Sequence, residues 1–331
     1  MDSTSCQHID SISDKIISGT PITRDDAIAL FDIPDPEVMH LFALANSIRA
    51  KLGNTVDLCS ISNARCGMCG EDCSFCTQSI HNNTNITTHP LLEQDELVDL
   101  AHLMQESDAG RFCIVTSGGD VDGQDLQDIL ATIRRIIKET QLSICASLES
   151  LSREKAEALK DAGVSRIHHN LETSESYFGN ICTTHTYEDR LETVRIALAT
   201  GFDVCCGGII GMGESVADRV DMAFEIKGLD VDSVPLNILV PVEGTKLENI
   251  PPIRPLDVLK TIAIFRLILP DKTIRVAGGR EANLRDIQAL ATHGRGKWSY
   301  HRDYTALKCA ITSPLLCLMR AALRMHWFML K

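Results

Sequence analysis

Three cysteines within eight residues, Cys69, Cys73 and Cys76, constrain this 331-residue chain more than any other feature. At this spacing one loop can wrap a single metal cluster, and thiolates are the ligands that hold iron–sulfur clusters. A cubane cluster contains four irons, so three protein ligands leave one iron open to a small molecule. The alternative is a structural zinc loop in which Cys66 is the fourth ligand. Because zinc knuckles usually pair two short ligand clusters, the spacing favours the iron–sulfur cluster.

Composition restricts the class of protein and the cellular compartment in which such a cluster is expected. A hydrophobic share of 44% is ample for a core, and a formal net charge of −13 argues against a nucleic-acid surface. Thirteen cysteines would suggest disulfides in a secreted protein, but residues 1–5 do not read as a signal peptide. No stretch reads as a membrane span. We therefore expect a cytoplasmic protein without nucleic-acid or membrane partners.

Residues 1–53 are predicted to form an N-terminal helical cap. A run that begins at Thr23 carries apolar residues at helical spacing as far as Phe31. A second apolar-periodic run follows Pro36 and covers 38–52. A helical layer of this kind often covers the base of a barrel, which is the position that we expect for it.

From residue 54 to residue 292 the chain alternates between strand-like and helix-like segments, which predicts parallel βαβ units. The predicted strands cover 55–61, 111–117, 142–148, 166–171, 203–210, 233–240 and 273–277. The predicted helices cover 94–104, 126–139, 153–162, 190–200, 217–226 and 256–268. This order favours a TIM-type (β/α)8 barrel with an aberrant last strand and helix, and with function at the carboxyl ends of the strands. A doubly wound sheet is the alternative, but no Gly-x-Gly-x-x-Gly follows the first strand.

Further cysteines fall on the predicted strands. Strand two carries Cys113, strand three Cys145 and strand five Cys205, while Arg275 lies on strand seven. A lone cysteine in a buried strand is usually an inert small hydrophobic residue. Three of them on the strands of one barrel, with an arginine, are able to surround a second and smaller cluster deep in the interior.

Several ordered motifs resemble the radical S-adenosylmethionine (SAM) superfamily and, within it, the biotin synthase family over about residues 15–292. The segments that carry the resemblance are Cys59-Ser60-Ile61-Ser62-Asn63, residues 70–79 around Cys73 and Cys76, His168-His169-Asn170-Leu171-Glu172-Thr173-Ser174, residues 204–214 around Cys205, and Val234-Pro235-Leu236-Asn237. Together they are far more specific than the cysteine triplet alone.

The resemblance implies cofactors and a role for each matching residue. The cofactors are a [4Fe–4S] cluster, a [2Fe–2S] cluster and SAM. The implied ligands of the [4Fe–4S] cluster are Cys69, Cys73 and Cys76, and those of the [2Fe–2S] cluster are Cys113, Cys145, Cys205 and Arg275. The implied SAM contacts are Phe75, Asn170, Glu172 and Arg190, and the implied contact to the ureido ring of dethiobiotin is Asn237. No catalytic residue beyond the cluster ligands is expected.

Other interpretations of these residues stay open at this point. Glu172 and Arg190 could form a surface ion pair, and Asn237 could serve backbone groups within its strand. His168 and His169 are adjacent in a strand and point to opposite faces, so we do not expect them to share one metal ion. A further group of cysteines is interpreted as non-ligands: Cys59, Cys66, Cys182 and Cys206.

The reaction that the resemblance implies is two rounds of radical sulfur insertion, which convert dethiobiotin to biotin. SAM cleavage yields a 5′-deoxyadenosyl radical, which removes a hydrogen atom from carbon, and a sulfide of the second cluster quenches the carbon radical. The implied partners are a flavodoxin- or ferredoxin-type reductant and a second copy of the chain in a homodimer. The alternatives are another radical SAM barrel enzyme of the maturase or methylornithine synthase kind, or an inactive metal-binding paralogue.

Residues 293–331 form an atypical tail. After Thr292 the chain lacks the glycine-rich and apolar pattern of the family, and both tryptophans lie beyond this point. A permitted codon choice for residues 296–302 regains a family-like stretch when it is read one base later. We therefore hypothesise a frameshift near residue 293, which would remove the last strand and leave an open sheet edge.

Overall fold

The computed structural model describes residues 3–52, 58–292 and 301–302. At its centre lies a curled sheet in which every pair of neighbouring strands is parallel. The strands are β1 (Cys59–Arg65), β2 (Arg111–Thr116), β3 (Ser143–Leu148), β4 (Arg166–His168), β5 (Asp203–Cys205), β6 (Gly208–Ile210), β7 (Ser233–Ile238), β8 (Thr273–Val276) and β9 (His301–Arg302). From one edge to the other the order is β8, β7, β5, β4, β3, β2, β1 and β9, and β6 pairs with β7 beside β5.

Helices connect the strands, which confirms the predicted TIM-type arrangement. They are α1 (Ser3–Ile17), α2 (Arg24–Ala29), α3 (Val38–Ala50), α4 (Gln94–Glu106), α5 (Gly123–Glu139), α6 (Arg153–Asp161), α7 (Glu175–Phe178), α8 (Tyr187–Ala199), α9 (Val216–Leu229), α10 (Pro255–Ile268) and α11 (Arg280–Leu284). Helix α5 buries Ile129, Ile133 and Ile136 from one face, as expected for a helix packed on a sheet. Within the described ranges, none of these helices has the length and hydropathy needed to cross a membrane.

Strand boundaries differ from the prediction where polar residues are buried or glycines interrupt pairing. The first strand begins at Cys59 and ends at Arg65, whereas 55–61 was expected, because Ser62 and Ala64 lie on its buried side despite their weak apolar character. Residues 53–57 lie outside the described part. The predicted strand 203–210 is two strands, since pairing breaks at Cys206 and Gly207.

The break between β5 and β6 depends on the absence of a side chain at Gly207. A Cβ atom there would lie 1.9 Å from the carbonyl oxygen of Pro235 in β7, so the backbone of one strand would have to move. We expect Gly207→Ala to lower the free energy of unfolding by about 2 to 4 kcal/mol, which denaturant titration will measure.

Gly228 provides the matched control for this substitution. It lies inside α9 and has open space where its Cβ would be, so Gly228→Ala should leave stability unchanged or raise it by up to about 1 kcal/mol. Equal stability of the Gly207→Ala protein and the parent would contradict the proposed steric conflict.

The N-terminal helices pack on the outer helices of the barrel, with α2 against α9 and α3 against α10. Arg24 forms a two-point ion pair with Asp221 of α9, with distances of 2.5 and 2.9 Å. The buried ammonium group of Lys260 in α10 donates to the carbonyl oxygens of Phe31 at 3.0 Å and Ile33 at 2.6 Å. The predicted helical layer is therefore attached through α9 and α10.

The outer edge of β1 carries a short strand. His301 pairs with Cys59 and Arg302 pairs with Ser60, and both pairs are parallel. The eighth position of the barrel is thus occupied over two residues in the part of the tail that is described. The rest of the tail for which a frameshift is hypothesised, residues 293–300 and 303–331, lies outside the described residues.

Candidate cofactor sites

The loop with Cys69, Cys73 and Cys76 follows β1 at the carboxyl end of the sheet and is held by its own hydrogen bonds. The backbone N–H of Cys69 donates to the carbonyl oxygen of Gln78 at 3.0 Å. The side-chain amide of Asn82 donates to the carbonyl oxygens of Cys73 at 3.0 Å and Cys76 at 2.7 Å. These bonds fix the backbone of all three cysteines before any metal is added.

The surroundings of two of the three sulfurs suit an anionic metal cluster. Burial raises the pKa of the Cys69 thiol to about 11, and the Glu149 carboxylate raises it too, while backbone N–H groups of Glu71 and Gly118 donate to its sulfur and lower it. Burial also raises the pKa of Cys76, against donation from backbone N–H groups. N–H donors aimed at sulfur favour thiolates, so this loop fits the predicted cubane.

A second loop brings Cys182 and His185 against Cys73. Their ligand atoms all lie within 4.8 Å of one another, and the distance from Cys182 Sγ to His185 Nδ1 is 3.3 Å. A hydrogen bond with the Cys73 thiol lowers the pKa of Cys182 to about 4 and raises the pKa of Cys73. Cys182 is a non-ligand in the sequence-based interpretation, and His185 is not among the predicted site residues. The Cys-x-x-His spacing of this loop was the signal that could have identified them.

Three of the predicted SAM contacts form one connected group. The Arg190 guanidinium donates to the backbone carbonyl of Asn170 at 2.6 Å and to the Glu172 carboxylate at 3.1 Å. The side chains of Arg190 and Glu172 are only 15% and 14% exposed, so their ion pair is not the surface pair considered above. Arg190 also lies 3.0 Å from His185 Nε2, and because arginine only donates, this nitrogen accepts.

Glu172 owes its position to unusual backbone geometry just beyond β4. Its φ is +70°, in the left-handed region that a non-glycine residue seldom adopts. Its carbonyl oxygen accepts from the N–H of Ile209 at 2.8 Å, and a Cβ on Gly208 would lie 2.5 Å from that oxygen. Strain held in place by neighbouring strands is typical of functional sites.

The other two predicted ligand contacts are engaged with the protein itself. Phe75 is partly buried and packs against the hydrophobic core. Asn237 accepts from the N–H of Gly278 at 2.9 Å and donates to the carbonyl oxygen of Gly208 at 3.4 Å. The backbone role considered for Asn237 is therefore present. A primary amide has two N–H donors, so the second remains available to a ligand.

The strand cysteines come together inside the barrel. Cys113 and Cys145 occupy paired positions on β2 and β3 and share a hydrogen bond between their sulfurs. Cys205 lies on β5, and the charge of Arg275 on β8 acts on its thiol. All four side chains are buried, with at most 4% exposed.

Positive charge surrounds these thiols. Burial by itself would raise the pKa of Cys205, but the His168 imidazole, which also shares a hydrogen bond with it, lowers that pKa to about 6 together with Arg275 and Arg166. The hydrogen bond from Cys113 lowers the pKa of Cys145 and raises that of Cys113. Thiolates beside buried cations form a donor set that suits a small metal cluster.

Two residues near this set were not assigned to it from the sequence. Cys59 and Ile61 lie on the same face of β1, which faces the interior of the barrel. Cys113 pairs with Ile61, so Cys59 lies two residues nearer the amino end of the sheet than the Cys113 level. Burial raises the pKa of Cys59 to about 12. His168 hydrogen-bonds Cys205, whereas the charges that act on His169 include Arg190. The two histidines thus have different polar neighbours.

Known protein families match most of the chain. The family described as the Radical SAM superfamily matches residues 65–226, and the Biotin and Thiamin Synthesis associated domain matches residues 235–310. The biotin synthase of Carboxydothermus hydrogenoformans is 47% identical over 283 residues, which cover 85% of this chain and 87% of that protein. The biotin synthase of Citrifermentans bemidjiense is 48% identical over 282 residues, 85% of this chain and 86% of the relative.

Solved structures show the same fold at lower sequence identity. Methylornithine synthase (PylB) aligns with a TM-score of 0.77 at 20% identity, covering 87% of this chain and 85% of that one. The FeFe-hydrogenase maturase HydG from Carboxydothermus hydrogenoformans aligns with a TM-score of 0.77 at 21% identity, covering 91% of this chain and 72% of that one. At such identities the likeness concerns the barrel and not its reaction.

Proposed function

The chain belongs to the biotin synthase family of radical SAM enzymes, and on that premise we propose that it inserts sulfur into dethiobiotin to form biotin. The observation that carries the proposal is the pair of separate thiol sets. One set lies on the loop after β1, and the other lies on β2, β3 and β5 within the barrel. A radical SAM enzyme needs the first set alone, and sulfur insertion gives a reason for the second.

Each thiol set has its own task in this proposal. Cys69, Cys73 and Cys76 hold the [4Fe–4S] cluster on a loop whose backbone is already ordered. A [2Fe–2S] cluster is held by Cys113, Cys145, Cys205 and Arg275. When bound, the [4Fe–4S] cluster and SAM supply hydrogen-atom abstraction, and the [2Fe–2S] cluster supplies the sulfur. The buried interior keeps water away from the reacting carbon.

The residues around Arg190 are proposed to orient SAM. Asn170 and Glu172 offer an amide and a carboxylate that suit ribose hydroxyl groups, and the fork of Arg190 suits the SAM carboxylate. Phe75 supplies an apolar surface at the edge of the same loop. Asn237, at the carboxyl end of β7, directs its remaining N–H toward the ureido group of dethiobiotin.

Arg190→Lys is expected to weaken SAM binding by roughly tenfold to a hundredfold, because lysine cannot reproduce a two-point contact with a carboxylate. Equilibrium dialysis of the reconstituted protein with labelled SAM measures this change. The matched control is Arg195→Lys on the same helix, where the exposed Arg195 pairs only with Glu188 among the described ion pairs. Unchanged SAM affinity in the Arg190→Lys protein would remove Arg190 from the proposed site.

Anaerobic reconstitution tests the proposed function. The full chain is supplied with iron, sulfide, a low-potential reductant, SAM and dethiobiotin, and mass spectrometry measures 5′-deoxyadenosine and biotin. We expect both products. If a preparation that contains both clusters forms 5′-deoxyadenosine and no biotin, the chain is another radical SAM enzyme. If it contains zinc without acid-labile sulfide after reconstitution, the inactive metal-binding alternative holds.

The proposal extends to the cellular location and the partners. Iron–sulfur ligation needs reduced thiols, so we propose a cytoplasmic location. Cluster reduction requires an external one-electron donor, for which a flavodoxin or ferredoxin is proposed, and the chain is proposed to act as a homodimer. Size-exclusion chromatography with light scattering tests the dimer directly.

We keep the domain division as a proposal: a helical cap over 1–53, a radical SAM barrel over 54–292 and an atypical tail over 293–331. The tail is proposed to arise from a frameshift near residue 293. Resequencing the gene from independent clones tests this origin. A single intact frame together with a soluble and active product would rule it out.

A further inference from the structure

The cysteine loop and the loop with Cys182 and His185 meet around a small group of metal-binding atoms. We propose that the cluster-free chain binds one divalent ion of the zinc or iron(II) type between Cys73, Cys182 and His185. We further propose that this ion and the [4Fe–4S] cluster exclude each other, because both need Cys73. The first statement stands on geometry alone, and the second rests on the proposed role of Cys73 as a cluster ligand.

The distances suit a tetrahedral ion. Zinc binds thiolates at about 2.3 Å and imidazole nitrogen at about 2.0 to 2.1 Å, so tetrahedral ligand atoms lie roughly 3.5 to 4 Å apart. The distance from Cys182 Sγ to His185 Nδ1 is 3.3 Å, and all three ligand atoms fall within 4.8 Å of one another. Adjustments of at most about 1 Å close the site around an ion.

The two loops are held together before any ion binds. The Asp72 carboxylate accepts from the backbone N–H of Thr183 at 2.7 Å and from its hydroxyl group at 2.6 Å. The N–H of Ser74 donates to the carbonyl oxygen of Ile181 at 2.8 Å. Residues on both sides of Cys73 are therefore fastened to residues beside Cys182, so little ordering is needed on metal binding.

Glu71 lies beside this donor set. Its carboxylate accepts from His185 Nδ1 at 2.6 Å, and once Nδ1 binds the ion that carboxylate is free to hold a metal-bound water molecule as the fourth ligand. Two thiolates and one carboxylate carry three negative charges, so a divalent ion leaves a net charge of about −1. The guanidinium of Arg190, which stays bonded to Asn170 and Glu172 beside this site, favours that residual charge.

Metal binding also has a consequence for Arg190. When Nδ1 of His185 binds the ion, the single proton of the neutral ring must reside on Nε2. Arginine cannot accept a hydrogen bond, so its 3.0 Å contact with Nε2 has to open. Arg190 keeps its bonds to Asn170 and Glu172, and the change therefore stays local.

Cobalt and zinc titrations of the cluster-free full chain test the site. The protein is stripped of iron anaerobically, and Co²⁺ binding is followed by the absorption of tetrahedral, thiolate-bound cobalt, with Zn²⁺ affinity obtained by displacement. Cys182→Ala and His185→Ala should each weaken binding at least about tenfold, since loss of even an indirect partner costs that much. Cys69→Ala removes a cluster ligand outside this group and should bind with parental affinity.

Several outcomes would overturn the proposal. If Cys69→Ala weakened binding as much as Cys182→Ala, the ion would sit on the three loop cysteines instead. X-ray absorption of the zinc-loaded parent gives an answer that does not depend on whether the variants fold, and we expect two sulfurs with the remaining ligands nitrogen or oxygen. A shell of three or four sulfurs contradicts the site. If bound zinc does not delay [4Fe–4S] assembly, the proposal that the ion and the cluster exclude each other is wrong. Biotin formation by the untreated enzyme tests the proposed function separately.

Discussion

Cys69→Ala, Cys73→Ala and Cys76→Ala proteins should each form no 5′-deoxyadenosine from SAM above the background of the assay. A cubane whose fourth iron must stay open to SAM has three protein ligands, and losing one thiolate leaves too few to retain it. Residues 69–82 contain no further cysteine, so the loop itself cannot supply a replacement thiolate. Chromatographic measurement of 5′-deoxyadenosine after anaerobic reconstitution, with iron and sulfide counts, checks this result.

The control for these variants is Cys206→Ala. Cys206 is fully buried beside Cys205 and is assigned to neither cluster, so its removal tests whether any buried cysteine is essential. Parental cleavage of SAM by a Cys73→Ala protein would refute the central assignment. Cys69→Ala and Cys73→Ala should also differ in one respect, because only Cys73 is shared with the mononuclear site proposed above.

Cys145→Ala and Cys205→Ala are expected to retain the [4Fe–4S] cluster and SAM binding while they form no biotin. The two residues lie on β3 and β5 within the barrel, and nothing in SAM cleavage requires them. Removal of either thiolate leaves the basic groups Arg166, His168 and Arg275 around too few negative ligands, which disfavours the second cluster. Arg275→Lys should be tolerated better, since the charge of Arg275 matters more than a bond to iron.

Mössbauer spectra of reconstituted variants distinguish this expectation from general damage. We expect the signal of the second cluster to disappear from Cys145→Ala and Cys205→Ala while that of the [4Fe–4S] cluster remains. Iron and sulfide counts should fall by the content of the second cluster alone. If both variants kept the two clusters of the parent, the strand cysteines would be ordinary core residues, and the sulfur-insertion mechanism would fail with them.

The sequence alone predicted the elements and the candidate ligands that depend on local spacing. Cys69, Cys73 and Cys76 lie within eight residues, so their joint role requires one loop and no long-range contact. The alternation of strand and helix patterns likewise predicted the barrel, and helix α10 was expected over 256–268 and is observed over Pro255–Ile268. These features follow from periodicity and turn chemistry, which are properties of neighbouring residues.

The tertiary structure decided what depends on strand register and on how loops meet. Cys113 and Cys145 face each other because β2 and β3 pair without a shift, which no local pattern specifies. Cys182 and His185 reach Cys73 because loops that follow different parallel strands meet at the same end of the curled sheet. Contacts with β6 bury the Glu172–Arg190 pair and hold the left-handed backbone of Glu172. Such contacts exist only once distant segments of the chain have packed together.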